Sequence, residues 1–145
     1  MKHYYFAYGM NTNLTQMDHR CPGAIDIGPA RLEGYKLVFR RHADVELEYG
    51  SDVNGLLWEI TDEHLRSLDE FEGFPQYYIR SRAWVQHDGK WYVAWIYQMT
   101  DQTYLDEPSN FYLSSCIEGY EQNGIDVSQL HSALEESKYY DSYLA

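Results

Sequence analysis

The chain has 145 residues, a formal net charge of −12 at pH 7, and 44% hydrophobic and 17% aromatic residues. This length fits one domain, predicted over residues 1–145, and the hydrophobic content is enough to fill one core. The acidic balance argues against surfaces rich in phosphate, so we expect neither a nucleic-acid partner nor an anionic membrane surface.

The two cysteines and the absence of targeting patterns predict the compartment. No stretch approaches the roughly 18 apolar residues of a membrane-spanning helix, and no apolar run typical of a signal peptide follows Met1. We therefore expect a cytoplasmic protein in which Cys21 and Cys116 are free thiols. His19 lies near Cys21, but no second pair has metal-ligand spacing, so no metal site is expected.

The first half of the chain is rich in predicted strands. Tyr4–Tyr8 predicts a buried strand that Gly9 ends, and a loop then leads to a short helix from about Leu14 to His19. His42 and Asp44 are placed on a strand edge or loop, and solvation of both side chains is the alternative to a functional role. Further extended segments are predicted at Ala24–Leu32 (interrupted by Gly28 and Pro29), Tyr35–Arg40 and Val53–Ile60.

The second half adds helices and one hairpin. A helix is predicted from Thr61 to about Phe71, since Thr61 can cap its start and Gly73 can stop it. The remaining predicted elements are a hairpin of Tyr77–Gln86 with Trp91–Met99, a helix over Ser109–Asn123 and a helix within Asp126–Lys138. This order predicts an α+β fold with a small twisted or barrel-like sheet.

Glu72 is the strongest candidate for chemistry. At about 100° per residue, Glu72 falls between Leu65 and Leu68 on the apolar face of the helix, whereas Glu70 falls on the opposite side and Asp69 at the edge. A carboxylate buried there would have a raised pKa, as an acid/base catalyst needs. Because Gly73 follows at once, the alternative is a solvated residue at the helix end.

A second candidate is the segment Tyr8-Gly9-Met10-Asn11. A strand that ends in glycine and small polar residues can direct several backbone N–H groups at one anion; the alternative is an ordinary tight turn. No Gly-Lys-Ser/Thr follows, so the segment is not a phosphate-binding P-loop. Ser114-Ser115-Cys116 lies within a predicted helix without a nucleophile elbow or a base partner, so we reject nucleophilic catalysis.

Several of these segments, in order along the chain, resemble the motifs of one family. The motifs are Tyr5-Phe6-Ala7-Tyr8-Gly9-Met10-Asn11, Val53 to Trp58, Leu68-Asp69-Glu70-Phe71-Glu72-Gly73 with Tyr78 after it, Ile96 to Met99, Pro108 to Tyr112, and Gly119 to Gly124. Together they resemble the γ-glutamylcyclotransferase-like (AIG2-like) family. The departure is Met10, which occupies a position where the family motif has serine.

The resemblance implies a small mixed barrel flanked by helices, with neither a metal nor an organic cofactor. It implies a γ-glutamyl small-molecule substrate that cyclises to 5-oxoproline, with Glu72 as the acid/base. The substrate would contact the backbone of Tyr8, Gly9, Met10 and Asn11.

Tyr78, Tyr97 and Tyr112 are candidate pocket walls, although they could equally be core residues, and a homodimer is possible. The alternative function is a non-catalytic binding module on the same fold. A protein-interaction domain is a third possibility, but no feature of the sequence favours it.

Overall fold

The computed structural model describes residues 1–139, and residues 140–145 of the predicted domain lie outside the described part. The elements in chain order are β1 (Lys2–Ala7), α1 (Leu14–Arg20), β2 (Ile25–Arg40), β3 (His42–Thr61), α2 (Asp62–Glu72), β4 (Tyr78–His87), β5 (Lys90–Met99), α3 (Asn110–Gln122) and α4 (Ser128–Lys138). A 3₁₀ turn, Met10–Thr12, follows β1 where the sequence predicted a loop. None of the helices within residues 1–139 is long and apolar enough to cross a membrane.

The strands form a closed barrel in the order β1-β3-β2-β4-β5. Strand pairs are antiparallel except for β1 and β5, which run parallel and meet at Tyr5 and Trp95. The predicted α+β class with a small mixed barrel is confirmed. Fully buried side chains from different strands, including Phe6, Leu56 and Ile96, fill the interior, and each contributes about 1.5–3 kcal/mol through burial.

The long hairpin of β2 and β3 is the main difference from the predicted elements. Gly28 and Pro29 do not interrupt β2, because a register shift between Asp26 and Gly28 absorbs the irregularity. Arg40 pairs with His42, so the hairpin turns at Arg41, whose φ is 68°.

The alternative that Asp44 is solvated is wrong, since its side chain is fully buried. Arg40 lies 2.8 Å from the Asp44 carboxylate. The backbone N–H of Met99 also donates to this carboxylate, over 3.0 Å. These donors compensate a charge that would otherwise be costly to bury.

Capping residues fix both ends of α2, as predicted, and the start of α3. The Thr61 side chain accepts from the backbone N–H of His64 at the start of α2, and Gly73 ends that helix in the left-handed region with a φ of 71°. Ser109 caps α3 by accepting from the backbone N–H of Tyr112. Because α2 ends at Glu72 and Gly73 is the residue beyond it, Glu72 still has helical geometry. Its side chain therefore points in the direction predicted from its position on the apolar face.

One end of the barrel gathers the segments that carry the candidate residues. The end of β1, the β2–β3 turn, the start of β4 and the end of β5 meet there. The last turn of α2 and the first turn of α3 complete this end. Segments far apart in sequence therefore face one another across a single opening.

Candidate active site

A cavity of about 830 Å³ opens at this end of the barrel. It is large enough for a small organic ligand, for which pockets of roughly 300–1,000 Å³ are usual. All the predicted site residues line it, namely Tyr8, Gly9, Met10, Asn11, Glu72, Tyr78, Tyr97 and Tyr112. The structure thus brings the two candidate segments and the three later tyrosines into one place.

Glu72 is the last residue of α2 and is partly buried in the wall of the cavity. Burial raises its pKa from 4.5 to about 7, and the positive charge of Arg20 opposes this rise. No side chain within residues 1–139 hydrogen-bonds the carboxylate, so its oxygens are available to a ligand. A carboxylate with this pKa exchanges protons readily near neutral pH.

The 3₁₀ turn lines the same cavity and carries backbone donors at its start. The N–H groups of Met10 and Asn11 lie in its first turn, where no preceding helical carbonyl can accept from them. The carbonyls of Gly9 and Met10 accept from Thr12 and Asn13, which closes the turn behind these donors. N–H groups that have no acceptor within residues 1–139, in a turn that lines the cavity, suit a carboxylate or an oxyanion.

The side chains of Asn11 and Met10 contact other side chains of the protein. Asn11 is 4% exposed, and its amide donates to the Tyr5 hydroxyl over 3.0 Å. The Asn11 carbonyl accepts from the indole N–H of Trp58 over 3.0 Å. The Met10 sulfur accepts from Arg20 at 3.4 Å. These contacts hold the turn in place at the wall of the cavity.

Tyr8 and Tyr97 link the floor of the cavity to α2. The Tyr8 hydroxyl donates to the Tyr97 carbonyl over 2.6 Å, and the Tyr97 hydroxyl donates to Asp69 over 2.7 Å. Arg80 also binds Asp69, at 2.8 Å. Asp69, predicted at the edge of the helix face, thereby fixes the last turn of α2 against β4 and β5.

Tyr78 and Tyr112 hold the opposite wall. The Tyr78 hydroxyl donates to the Ala43 carbonyl over 2.9 Å, and the Tyr112 hydroxyl accepts from the Ala43 N–H over 3.0 Å. Both tyrosines thus pair with the backbone just after the β2–β3 turn while their rings line the cavity. These tyrosines therefore both line the cavity and pack in the core, the two alternatives that the sequence did not decide between.

Sequence reasoning missed Tyr5 and Arg20, and it placed Glu70 away from the site. Tyr5 lines the cavity from within β1, and Glu70, although exposed, reaches its rim. Arg20 is the last residue of the short helix α1. Nothing in the sequence around it distinguishes an arginine that contacts the site from one that is solvated. Within residues 1–139, no three His, Cys, Asp or Glu side chains lie close enough together to hold a metal ion.

The protein is thus a small α+β barrel whose cavity is lined by Glu72, a carboxylate of raised pKa, and by a turn with two backbone donors. A family model described as gamma-glutamyl cyclotransferase, AIG2-like, matches residues 5–114. The chain belongs to this family, and the predicted resemblance is confirmed. Its relatives support an enzyme of the cyclotransferase kind.

Similar proteins and a solved structure support the family assignment. A gamma-glutamylcyclotransferase of Bos taurus is 30% identical in an alignment 137 positions long, which covers 85% of this chain and 72% of that protein. A solved gamma-glutamyl cyclotransferase superposes with a TM-score of 0.80 at 26% identity, covering 97% of this chain and 88% of that one. YkqA of Bacillus subtilis, at 23% identity and a TM-score of 0.81, shares the fold over 92% of this chain and 54% of its own.

Proposed function

We propose that the protein releases 5-oxoproline and a free amine or amino acid from a γ-glutamyl conjugate. The observation that carries the proposal is the placement of Glu72, a carboxylate with a pKa of about 7, in one cavity with the Met10 and Asn11 N–H groups. The family to which the chain belongs favours the same chemistry. The reaction is an intramolecular aminolysis, and it requires proton transfer and stabilisation of an oxyanion.

The substrate supplies both reacting groups. The α-amine nitrogen attacks the γ-carbonyl carbon, a C–N bond forms, and a five-membered lactam results once the original C–N bond breaks. No water is consumed, and the atoms of the conjugate divide between the lactam and the leaving amine. Since nucleophile and electrophile are already joined, the protein has only to hold the folded-back conformation.

Glu72 is proposed to move the proton. Its ionised carboxylate accepts a proton from the α-ammonium or from the attacking nitrogen, and the resulting carboxylic acid donates it to the departing nitrogen. A pKa near 7 suits both steps, because the group changes protonation state at little free-energy cost near neutral pH.

The backbone donors are proposed to stabilise the charge that develops on the carbonyl oxygen. The N–H groups of Met10 and Asn11 belong to a turn that Trp58, Tyr5 and Arg20 hold in place. Fixed donors of this kind require little reorganisation during the reaction. Because only the backbone of Met10 is used, methionine can replace the serine of the family motif without loss of the donor.

A panel of γ-glutamyl amino acids and γ-glutamyl amines tests the proposal. The purified protein is incubated with each compound, and 5-oxoproline is measured by mass spectrometry. Release of the lactam from at least one compound, in equal amount with the free amine, is the expected result. Binding of a panel member without lactam from any of them would favour the non-catalytic binding module instead.

A further inference from the structure

Arg20 joins the two halves of the candidate active site. It is the last residue of α1, and one guanidinium nitrogen donates to the Asn11 side-chain oxygen while another donates to the Met10 sulfur over 3.4 Å. The guanidinium carbon lies 3.5 Å from the centroid of the Phe71 ring. One side chain therefore contacts the turn that carries the backbone donors and the residue that precedes Glu72.

The base of Arg20 is itself anchored to α2. The Cys21 thiol lies 3.7 Å from the His64 carbonyl, and the His64 ring lies 2.7 Å from the Pro22 carbonyl. The end of α1 is thus fixed to the start of α2, while the Arg20 side chain extends to the other end of that helix. This leaves the guanidinium little freedom to adopt another position.

We propose that Arg20 is a positioning residue, which fixes the distance between the Met10 and Asn11 N–H groups and the Glu72 carboxylate. The inference rests on the proposed function, since it assigns that geometry to catalysis. A planar fork that donates in two directions and stacks on an aromatic ring is specific to arginine, and lysine cannot reproduce it.

The charge of Arg20 has a second, separable effect. This positive charge lowers the pKa of Glu72, but burial raises the same pKa by more. Several tyrosine hydroxyls interact electrostatically with Glu72, and burial raises the pKa of each, so they are uncharged near neutral pH. These tyrosines are Tyr5, Tyr8, Tyr78, Tyr97 and Tyr112. Among residues 1–139, the other ionisable side chains that line the cavity are those of Arg40, Arg41, His42, Glu70, Tyr77, Asp101 and Tyr104, and Asp69 accepts from the Tyr97 hydroxyl beside it. Arg40 is already paired with Asp44.

The test compares Arg20→Lys and Arg20→Gln with Arg66→Gln, which removes one exposed positive charge from α2. Titration of the Glu72 carboxyl carbon by NMR should move to higher pH in Arg20→Gln and stay unchanged in Arg66→Gln. Arg20→Lys should keep the titration near that of the wild type. Its Met10 and Asn11 amide signals should shift, and kcat/KM should fall by roughly 10- to 100-fold, the effect of an ångström-scale misplacement.

Full kcat/KM with unshifted amide signals in Arg20→Lys would overturn the positioning role, and an unchanged Glu72 titration in Arg20→Gln would overturn the separate effect of the charge. If Arg20→Gln does not fold, Arg20→Lys decides the matter through its amide signals and rate. The NMR measurements need no substrate, so they distinguish a failure of this inference from a failure of the proposed function. If only the proposed function fails, the wild type releases no lactam, but the NMR signals of the Arg20 variants still differ from those of the wild type.

Discussion

Glu72 lies in a cavity that opposes its ionisation, and the nearby charge of Arg20 offsets only part of that effect. A fully solvated carboxyl would have a pKa near 4.5 and would hold its proton too weakly to return it to a leaving amine. A fully desolvated one would seldom be ionised at neutral pH. Partial burial beside one cation gives the intermediate value that proton transfer in both directions requires.

The first prediction concerns the pH dependence of the rate. Since only the ionised carboxylate accepts a proton, kcat/KM should rise with pH and level off above the Glu72 pKa of about 7. Initial rates of 5-oxoproline release across the acidic and neutral range provide the measurement. An acid limb centred near the ordinary value of 4.5 would contradict the assignment.

At the residue scale, the direction in which a helical side chain points could be predicted from the sequence. The partners that a charged side chain binds could not. Helical spacing alone separated Glu72 from Glu70, because a side chain's direction follows from its position in a regular helix. Arg20 and Asp44 have partners that are distant in sequence or lie across a turn. Nothing in their local sequence distinguishes a buried ion pair or a stacked guanidinium from a solvated charge.

Among the elements, α3 is the one that supports the 3₁₀ turn from behind. Gly119 lies against the turn so closely that an added Cβ would be 2.3 Å from the Thr12 hydroxyl oxygen and 2.5 Å from the Asn13 nitrogen. Asn123 donates to the Thr12 carbonyl over 2.9 Å and so fixes the same contact one turn later. The backbone donors therefore depend on a helix that reaches them only through tertiary packing.

The second prediction is that Gly119→Ala lowers both stability and activity. The Cβ would push α3 away from backbone atoms, and overpacking of this kind costs about 1–3 kcal/mol. Urea unfolding and lactam release measure the two effects. Ser114→Ala, at an exposed position of the same helix, should change neither. A fully stable and active Gly119→Ala variant would show that the helix does not constrain the turn.

The third prediction tests the wall formed by the β2–β3 turn. Tyr112→Phe removes the hydroxyl that accepts from the Ala43 N–H over 3.0 Å, so this hydrogen bond is lost. The expected cost is about 1 kcal/mol of unfolding free energy. Tyr92→Phe, which alters a tyrosine on β5 whose hydroxyl makes no hydrogen bond within residues 1–139, is the matched control. Equal stability of the two variants would contradict this role for Tyr112.

At the element scale, strands and helices with clear caps could be predicted, whereas the extent of the β2–β3 hairpin could not. Thr61, Gly73 and Ser109 act locally, so their effect is visible in the sequence. The first part of β3 carries several charged residues and alternates poorly. It forms a strand because β2 pairs with it, which is a tertiary effect.

For the whole molecule, the raised pKa of Glu72 means that its ionisation destabilises the folded state. Below the ordinary pKa of 4.5 the carboxyl is protonated in both folded and unfolded chains and has no effect on stability. As pH rises through the window from 4.5 to about 7, the unfolded chain loses its proton first, so the folded state becomes less stable. Above that window the full penalty is present.

The fourth prediction follows from this sign. Glu72→Gln should be more stable than the wild type above pH 7 by on the order of 2 kcal/mol. This advantage should disappear below pH 4.5. Urea unfolding of both proteins at the two extremes measures the difference, and Glu63→Gln, at an exposed position in the first turn of α2, is the control. A stability difference that does not vary with pH would contradict the raised pKa.

The central claim is that Glu72 transfers the proton during lactam formation, and the most direct measurement is 5-oxoproline release by Glu72→Gln. Its substrate is the γ-glutamyl compound that the wild type turns over fastest. Because Gln keeps the shape of Glu but cannot exchange a proton, the variant should bind the substrate, keep its fold and form no detectable lactam. Glu63→Gln should retain full activity. Substantial lactam release by a correctly folded Glu72→Gln variant would contradict the account.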